Sequence, residues 1–287
     1  MNSFKEIPVR ILKGKDLPEG LRELPDPPSS LYVQGELPKE GIYLTVVGSR
    51  KHTSYGKYAC ETIIDGLKDF PFVIVSGLAL GIDVIAHKKA LDVGLPTIAI
   101  PGSGLDPSVI APRTNYLIAE KILKQGGALV SEYEPMTKAA PYTFPRRNRI
   151  MAGLSSGVLI VEATKKSGTL ITARLALDYN KTIFSIPGPI TSPQSDGPNW
   201  LIKEGATPVT GAEDILETFG FETSTRKMSH ANLSQEEEFL LGLLLEFQDK
   251  TTILKKSGWN VAQLNIITMS LELKGLIKDD GEILFVC

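Results

Sequence analysis

The chain has 287 residues, of which 42% are apolar and 22% charged, and 31 Lys+Arg stand against 33 Asp+Glu for a net charge of −2. This suits a soluble globular protein with a full α/β core and room for a small second domain. Cys60 and Cys287 are too far apart for a disulfide framework or thiol-metal spacing, and with only His52, His87 and His230 a His/Cys metal centre is not expected. No apolar run has membrane-spanning length and no signal peptide is recognised, so a cytoplasmic location without a membrane partner is expected.

Residues 1–40 are Pro-rich and weakly periodic and read as an N-terminal arm, with a short strand at Leu31-Tyr32-Val33. From Ile42 the pattern becomes regular. A buried-strand run, Ile42 to Val47, stops at Gly48-Ser49-Arg50-Lys51, and a helix is predicted to about Phe70. Phe72 to Val75 is the next strand; Ser76-Gly77-Leu78-Ala79-Leu80-Gly81-Ile82-Asp83 follows, then a helix through Leu91. A third strand, Thr97 to Ile100, ends in Pro101-Gly102-Ser103-Gly104-Leu105-Asp106. A helix from about Asn115 to Lys124 precedes the strand Ala128–Ser131.

The stretch from Tyr142 to Asn180 has the densest set of candidate residues. Val158 to Val161 suits a buried parallel strand, and Thr169 to Tyr179 has helical spacing. A strand from Thr182 to Ile186 follows, making a β-α-β unit whose ligands belong beyond the carboxyl ends of its strands. Arg146, Arg147, Arg149, Lys165, Lys166 and Arg174 fall here and suggest an anion site. Trp200 starts a further helix, Pro208-Val209 suits an edge strand, and a helix runs to Phe219. Strand, glycine turn and helix, repeated this often, imply a doubly wound, Rossmann-like parallel sheet over residues 41–220.

Residues 221–232 are polar and read as a linker. The domain 233–287 has a different character: helices at Gln235–Gln248, around Leu254 and from Val261 to Lys274, then strands Leu276–Lys278 and Ile283–Val286 about Asp279-Asp280-Gly281. That is a winged-helix pattern. It contains five Lys+Arg and nine Asp+Glu, a balance of −4, whereas the remainder has 26 and 24, or +2. Its long helix has no arginine, so docking a partner or packing suits it better than reading duplex DNA.

Three groups of residues are candidates for binding. Gly48, Ser49 and Arg50 lie between a strand and a helix, where amides and a guanidinium can meet an anion; a plain turn with a surface arginine is the alternative. Phe144, Arg146, Arg147, Asn148 and Arg149 open a helix after Pro145, with Arg146 and Arg149 on one face. Arginines beside an aromatic ring suit a single nucleic-acid strand, against the alternative of a solvated basic helix start paired with Glu132 and Glu134. Lys166, Ser167, Gly168 and Thr169 place a lysine, hydroxyls and a glycine at a helix start, or an ordinary capped turn; the order is not that of a P-loop. Asp83 and His87 share a helix face, for which an N-terminal acid with a hydrogen-bonded histidine is preferred to catalysis.

In this order the blocks resemble the DNA-processing protein A (DprA/Smf) family. They are Val-Gly-Ser-Arg at 47–50, Ser-Gly-Leu-Ala-Leu-Gly-Ile-Asp at 76–83, Phe-Pro-Arg-Arg-Asn-Arg at 144–149, Ser-Gly-Thr-Leu-Ile-Thr-Ala-Arg at 167–174 and Ile-Pro-Gly at 186–188. The resemblance implies an extended Rossmann core that binds single-stranded DNA, forms a homodimer and loads the RecA recombinase onto incoming strands in natural transformation and recombination. It implies DNA contacts from Arg50 and the Phe144–Arg149 block, and no cofactor. Ala111-Pro112 stands where the family has Tyr-Pro, so the aromatic side chain of that position is missing here.

The rival reading is a nucleotide-cleaving enzyme of the same superfamily, of the phosphoribohydrolase type, whose pattern is Pro-Gly-Gly-x-Gly-Thr-x-x-Glu. Aligning Gly168-Thr169 with its Gly-Thr puts Thr172 where the glutamate belongs, and a threonine cannot act as a carboxylate acid or base. A sensor holding a small nucleotide without turnover is a third reading. A non-enzymatic single-strand binder is the expectation.

Overall fold

The computed structural model describes residues 7–222, 233–244, 247, 249–274, 276–279, 281 and 283–286. The chain divides into two units, residues 1–222 and 223–287. Most of the expected linker lies outside the described residues.

The larger unit is built on nine strands: β1 (Val9–Leu12), β2 (Leu31–Gly35), β3 (Ile42–Val47), β4 (Phe72–Ser76), β5 (Thr97–Ala99), β6 (Ala128–Ser131), β7 (Gly157–Ile160), β8 (Thr182–Ser185) and β9 (Thr207–Pro208). Their order across the sheet is β1-β2-β6-β5-β4-β3-β7-β8-β9. Every pair from β6 to β9 is parallel, while β1–β2 and β2–β6 are antiparallel. From β3 the chain steps outward through β4, β5 and β6, then returns to lay β7 against the other side of β3. The strand order reverses there, so the crevice beyond the ends of β3 and β7 is the topological switch point of the sheet.

The helices are α1 (Glu19–Arg22), α2 (Ser54–Gly66), α3 (Ile82–Val93), α4 (Tyr116–Lys124), α5 (Thr143–Leu154), α6 (Thr169–Asp178), α7 (Asp196–Lys203) and α8 (Ala212–Thr218). Side chains alternate across the strands. Leu44 and Val46 of β3 belong to a core cluster with Ile64 of α2, Ile82 of α3 and Ile215 of α8. Val47 joins Leu21 of α1, Ile150 and Met151 of α5, and Ala173 of α6 on the opposite face. The two layers of helices therefore seal both faces and leave ligands the rim at the strand ends.

The expected N-terminal arm is corrected by the strand pairing. Residues 9–35 extend the sheet, with Val9–Leu12 against Leu31–Gln34 and Tyr32–Gly35 against Ala128–Ser131. Pro-rich turns hid the alternation, and β1 is an edge strand with weak patterning of its own. Phe221, expected to open the linker, belongs to the larger unit, its ring packing on Phe70 and Phe72 with centroids 5.2 and 6.0 Å apart. The helix after β3 stops at Gly66 rather than near Phe70.

In the smaller unit, helices Gln235–Leu244, Lys250–Ser257 and Val261–Leu273 precede an antiparallel hairpin of Ile277–Asp279 with Leu284–Val286. Residues 245, 246 and 248, where the first helix was expected to continue, and Asp280 of the expected turn lie outside the described residues. Leu240, Leu244, Ile253, Leu264, Ile267, Leu271, Ile277 and Leu284 form a separate core. Asp249 and Asn260 cap their helices, accepting from Thr252 N at 2.7 Å and Gln263 N at 2.9 Å. Among the described residues no helix is long and apolar enough to cross a membrane.

Candidate nucleic-acid interface

A cleft of about 470 Å³ opens at the switch point, lined from several distant stretches of sequence: Val47 to Lys51 after β3, Ala79 and Asp83 after β4, Phe144, Pro145, Arg147, Asn148 and Met151 of α5, Thr164 after β7, Ser167 to Thr169, Ile171 and Thr172 at the start of α6, and Gln194 after β8. Nine of the twelve sequence-derived candidates are in this wall: Gly48, Ser49, Arg50, Phe144, Arg147, Asn148, Ser167, Gly168 and Thr169.

Arg50 is exposed, and its guanidinium carbon stands 5.2 Å from the centroid of the Phe144 ring. This contact makes a flat plate of a cation and an aromatic face without an ion pair to Arg50 among the described residues. The plate rests on the glycine turn after β5, because a Cβ on Gly102 would lie 2.6 Å from the Phe144 ring. The loop after β4 braces Arg50 from behind. Gly81 has φ +82, and a Cβ there would collide with Ser49 O and lie 2.7 Å from Arg50 Cα. Leu78 in the same loop has φ +57, an uncommon conformation for a branched side chain, and Asn115 Nδ2 holds it by donating to Leu78 O at 2.9 Å. The glycine-rich look of these loops thus reflects close packing of strand ends.

Arg147 lines the cleft but is only 5% exposed, and it donates to Gly77 O at 2.6 Å, to Ile100 O, and to Asn148 Oδ1 at 3.1 Å. It ties the ends of β4 and β5 to α5. Burial lowers its pKa to about 10, while the neighbouring Asp83 carboxylate pulls the other way. Burial raises the pKa of Asp83, opposed by Arg147 and by backbone N–H groups, including Gly77 N at 3.2 Å. The acid that faces the cleft is therefore already engaged by backbone amides, with a guanidinium charge nearby. Asn148 Nδ2 reaches Gly168 O at 3.5 Å, joining α5 to the turn before α6.

Two arginines are not brought to the cleft. Arg149 is 6% exposed and donates to Glu132 and to Asp26 O; Arg146, on the same face of α5, reaches Glu132 Oε1 at 3.3 Å. The pairing with Glu132, weighed above as the alternative, holds for both. Spacing placed them on one helix face, but only the packing of α5 on the sheet decides which face meets the rim. Lys166 is exposed beside Ser167 but does not line the cleft. His87 is fully buried, with Nδ1 2.8 Å from Thr97 Oγ1, and burial pushes its pKa down to about 3, so it is a neutral core residue. Glu162, next to the switch point, accepts from Thr53 N at 2.9 Å and Thr53 Oγ1 at 2.5 Å, so it faces the start of α2 rather than the cleft.

Sequence reasoning missed Lys51, Thr164, Ile171 and Gln194 as site residues. Lys51 and Thr164 lie in the turns just beyond the ends of β3 and β7, a placement that the β-α-β pattern could have flagged. Gln194 sits in a short 3-10 helix, Pro193–Ser195, with no motif and had no such signal.

The switch-point cleft, a cation-aromatic plate and glycine loops at the strand ends define a Rossmann-like protein with an exposed guanidinium and an aromatic ring at the rim of its sheet. Comparison with known proteins narrows this class. Residues 9–220 match the model of the family described as DNA recombination-mediator protein A, and the chain belongs to that family. Protein Smf of Escherichia coli is 48% identical over 205 residues, which is 71% of this chain and 54% of that relative. DNA processing protein DprA of Streptococcus pneumoniae is 40% identical over 223 residues, 76% of each chain. This chain thus spans about half the length of the Escherichia coli relative. Among solved structures, the X-ray structure of DprA from Streptococcus pneumoniae superposes with a TM-score of 0.68 at 38% identity, covering 77% of this chain and 76% of that one. DNA processing protein A from Helicobacter pylori, whose structure was solved to describe its single-stranded DNA binding mode, gives 0.66 at 33% identity, covering 73% and 95%.

Proposed function

We propose that this protein binds single-stranded DNA along the switch-point rim without cutting it, and acts as a homodimer in the cytoplasm to load the RecA recombinase onto strands taken up in transformation or processed in recombination. The observation that carries the binding step is the Arg50–Phe144 plate over the cleft. A guanidinium meets phosphate, and a flat face lets a base stack whatever its identity. Single-stranded DNA binding by the Helicobacter pylori relative supports the ligand. Recombinase loading and the homodimer rest on the family resemblance of the motif order.

Thr172, only 1% exposed and part of the cleft wall, supports a binder over a nucleotide-cleaving enzyme, because it stands where the rival pattern requires a glutamate. The neighbouring Asp83 is buried and accepts from Gly77 N.

The test is an anisotropy titration with labelled single strand, duplex and mononucleotide. Single strand should bind tightest. Arg50→Ala should weaken it across sequences and reduce the salt slope by about 0.7 for each phosphate that is no longer neutralised. Equal binding by parent and Arg50→Ala would remove the cleft from the interface; base release from a nucleoside monophosphate by the parent would favour the enzyme. A RecA filament-nucleation assay on the same strand, with and without the protein, tests loading.

A further inference from the structure

The rim does not end at the cleft. Beyond the carboxyl ends of β8 and β9, a second and smaller cavity of about 150 Å³ is walled by Tyr55 and Tyr58 of α2 together with Ile186, Pro187, Val209 and Thr210. The tyrosines are one helical turn apart, 44% and 68% exposed. The Tyr55 ring is held in place, because its hydroxyl donates to Pro187 O at 2.6 Å. Tyr58 stands open to solvent, and no charged side chain is among the described lining.

This cavity is joined to the cleft by contact. Gln194 lines the cleft; a Cβ on Gly188 would collide with its neighbour Ser195, and the same point is 3.7 Å from Tyr55 Cε1. On the other side Lys51, exposed at the lip of the cleft and without an ion pair among the described residues, precedes Tyr55 by four residues. That spans at most about 14 Å of chain.

We infer that Tyr55 and Tyr58 form a second nucleobase subsite, taking a base of the same single strand that leaves the cleft past Lys51. The inference rests on the single-strand reading of the cleft. A pocket with two tyrosine rings in its wall and no charged side chain in its described lining suits an uncharged base and not a phosphate, and the hydroxyls of Thr62 and Thr210 give base edges hydrogen-bond partners. Stacking on a tyrosine is tolerant of sequence, as a processive strand contact requires. At this size the cavity is too small for a protein docking site, which would need a far wider footprint.

The experiment is an anisotropy titration with oligothymidylates of four and twenty nucleotides, using the parent and the Tyr58→Ala, Tyr58→Phe and Arg50→Ala variants. Tyr58→Ala is expected to weaken the twenty-mer by roughly 5- to 100-fold while changing the four-mer less than about twofold, and Tyr58→Phe to bind both like the parent. Arg50→Ala is expected to weaken both. If Tyr58→Ala binds the twenty-mer like the parent while Arg50→Ala does not, the second subsite is refuted and the cleft reading stands. If the parent binds neither oligomer, both fail. A Tyr58→Ala variant that changes the sedimentation coefficient and leaves the length dependence intact would make this face a contact between chains and overturn the inference.

Discussion

Replacing Arg149 with alanine separates an arginine that holds the fold from one that holds DNA. The side chains of Arg149 and Glu132 are 8% and 7% exposed, and the guanidinium also donates to Asp26 O in the turn before β2. Removing it leaves the Glu132 carboxylate buried, with Arg146 at 3.3 Å as a surviving partner that is itself 57% exposed. Breaking a buried pair costs about 3–5 kcal/mol, and the surviving arginine should reduce this to about 2–3 kcal/mol. For a unit of this size that lowers the melting temperature by roughly 4–12 °C. Thermal melts of parent, Arg149→Ala and Glu132→Gln at pH 7, followed by strand titration well below the transition, measure both quantities. The expected outcome is a lowered melting temperature with strand affinity and salt slope near those of the parent. An unchanged melt with weakened binding and a salt slope smaller by about 0.7 would place Arg149 on phosphate and refute the internal pairing.

The buried imidazole of His87 should make the fold acid-sensitive. In the unfolded chain it takes a proton near pH 6.5, but in the fold only near 3, so the unfolded state binds more protons between these values and stability falls as pH drops through that window. From pH 7 to 5 this contributes a loss of about 2 kcal/mol, which denaturant unfolding should show in the parent and not in His87→Gln. Gly102→Ala should push Phe144 off its seat and cost about 1–3 kcal/mol by overpacking, with strand affinity falling alongside; unchanged affinity would show that the plate is dispensable. Deleting residues 233–287, a separate and acidic unit, should leave most single-strand affinity in place, and losing most of it would put DNA on that unit.

Much of the architecture was legible from local pattern. The β-branched runs at Ile42–Val47 and Val158–Val161, each followed by a turn and a helix, mark strands of the kind that helices bury on both faces in a doubly wound sheet. The strands at Val9–Leu12 and Leu31–Gly35 were less visible, since an edge pairing is written partly in the partner β6 and not in the strand itself. For the site, adjacency to a strand end was enough to find Gly48, Ser49, Arg50 and the Ser167–Thr169 turn. Helix periodicity put Arg146 and Arg149 on one side of α5 but could not say what that side faced.

By itself the sequence determined the alternation of strands and helices, the glycine turns at the strand ends, and the residue types available for binding an anionic polymer. These are properties of neighbours along the chain, where steric preference and apolar spacing act over a few residues. Tertiary structure alone decided which cations are available. Arg147 is used up by the carbonyls of Gly77 and Ile100, Arg149 by Glu132, and Arg50 is left over Phe144. A guanidinium's partner is chosen by whatever packing brings within about 3 Å of it, and those groups come from segments that share no local pattern.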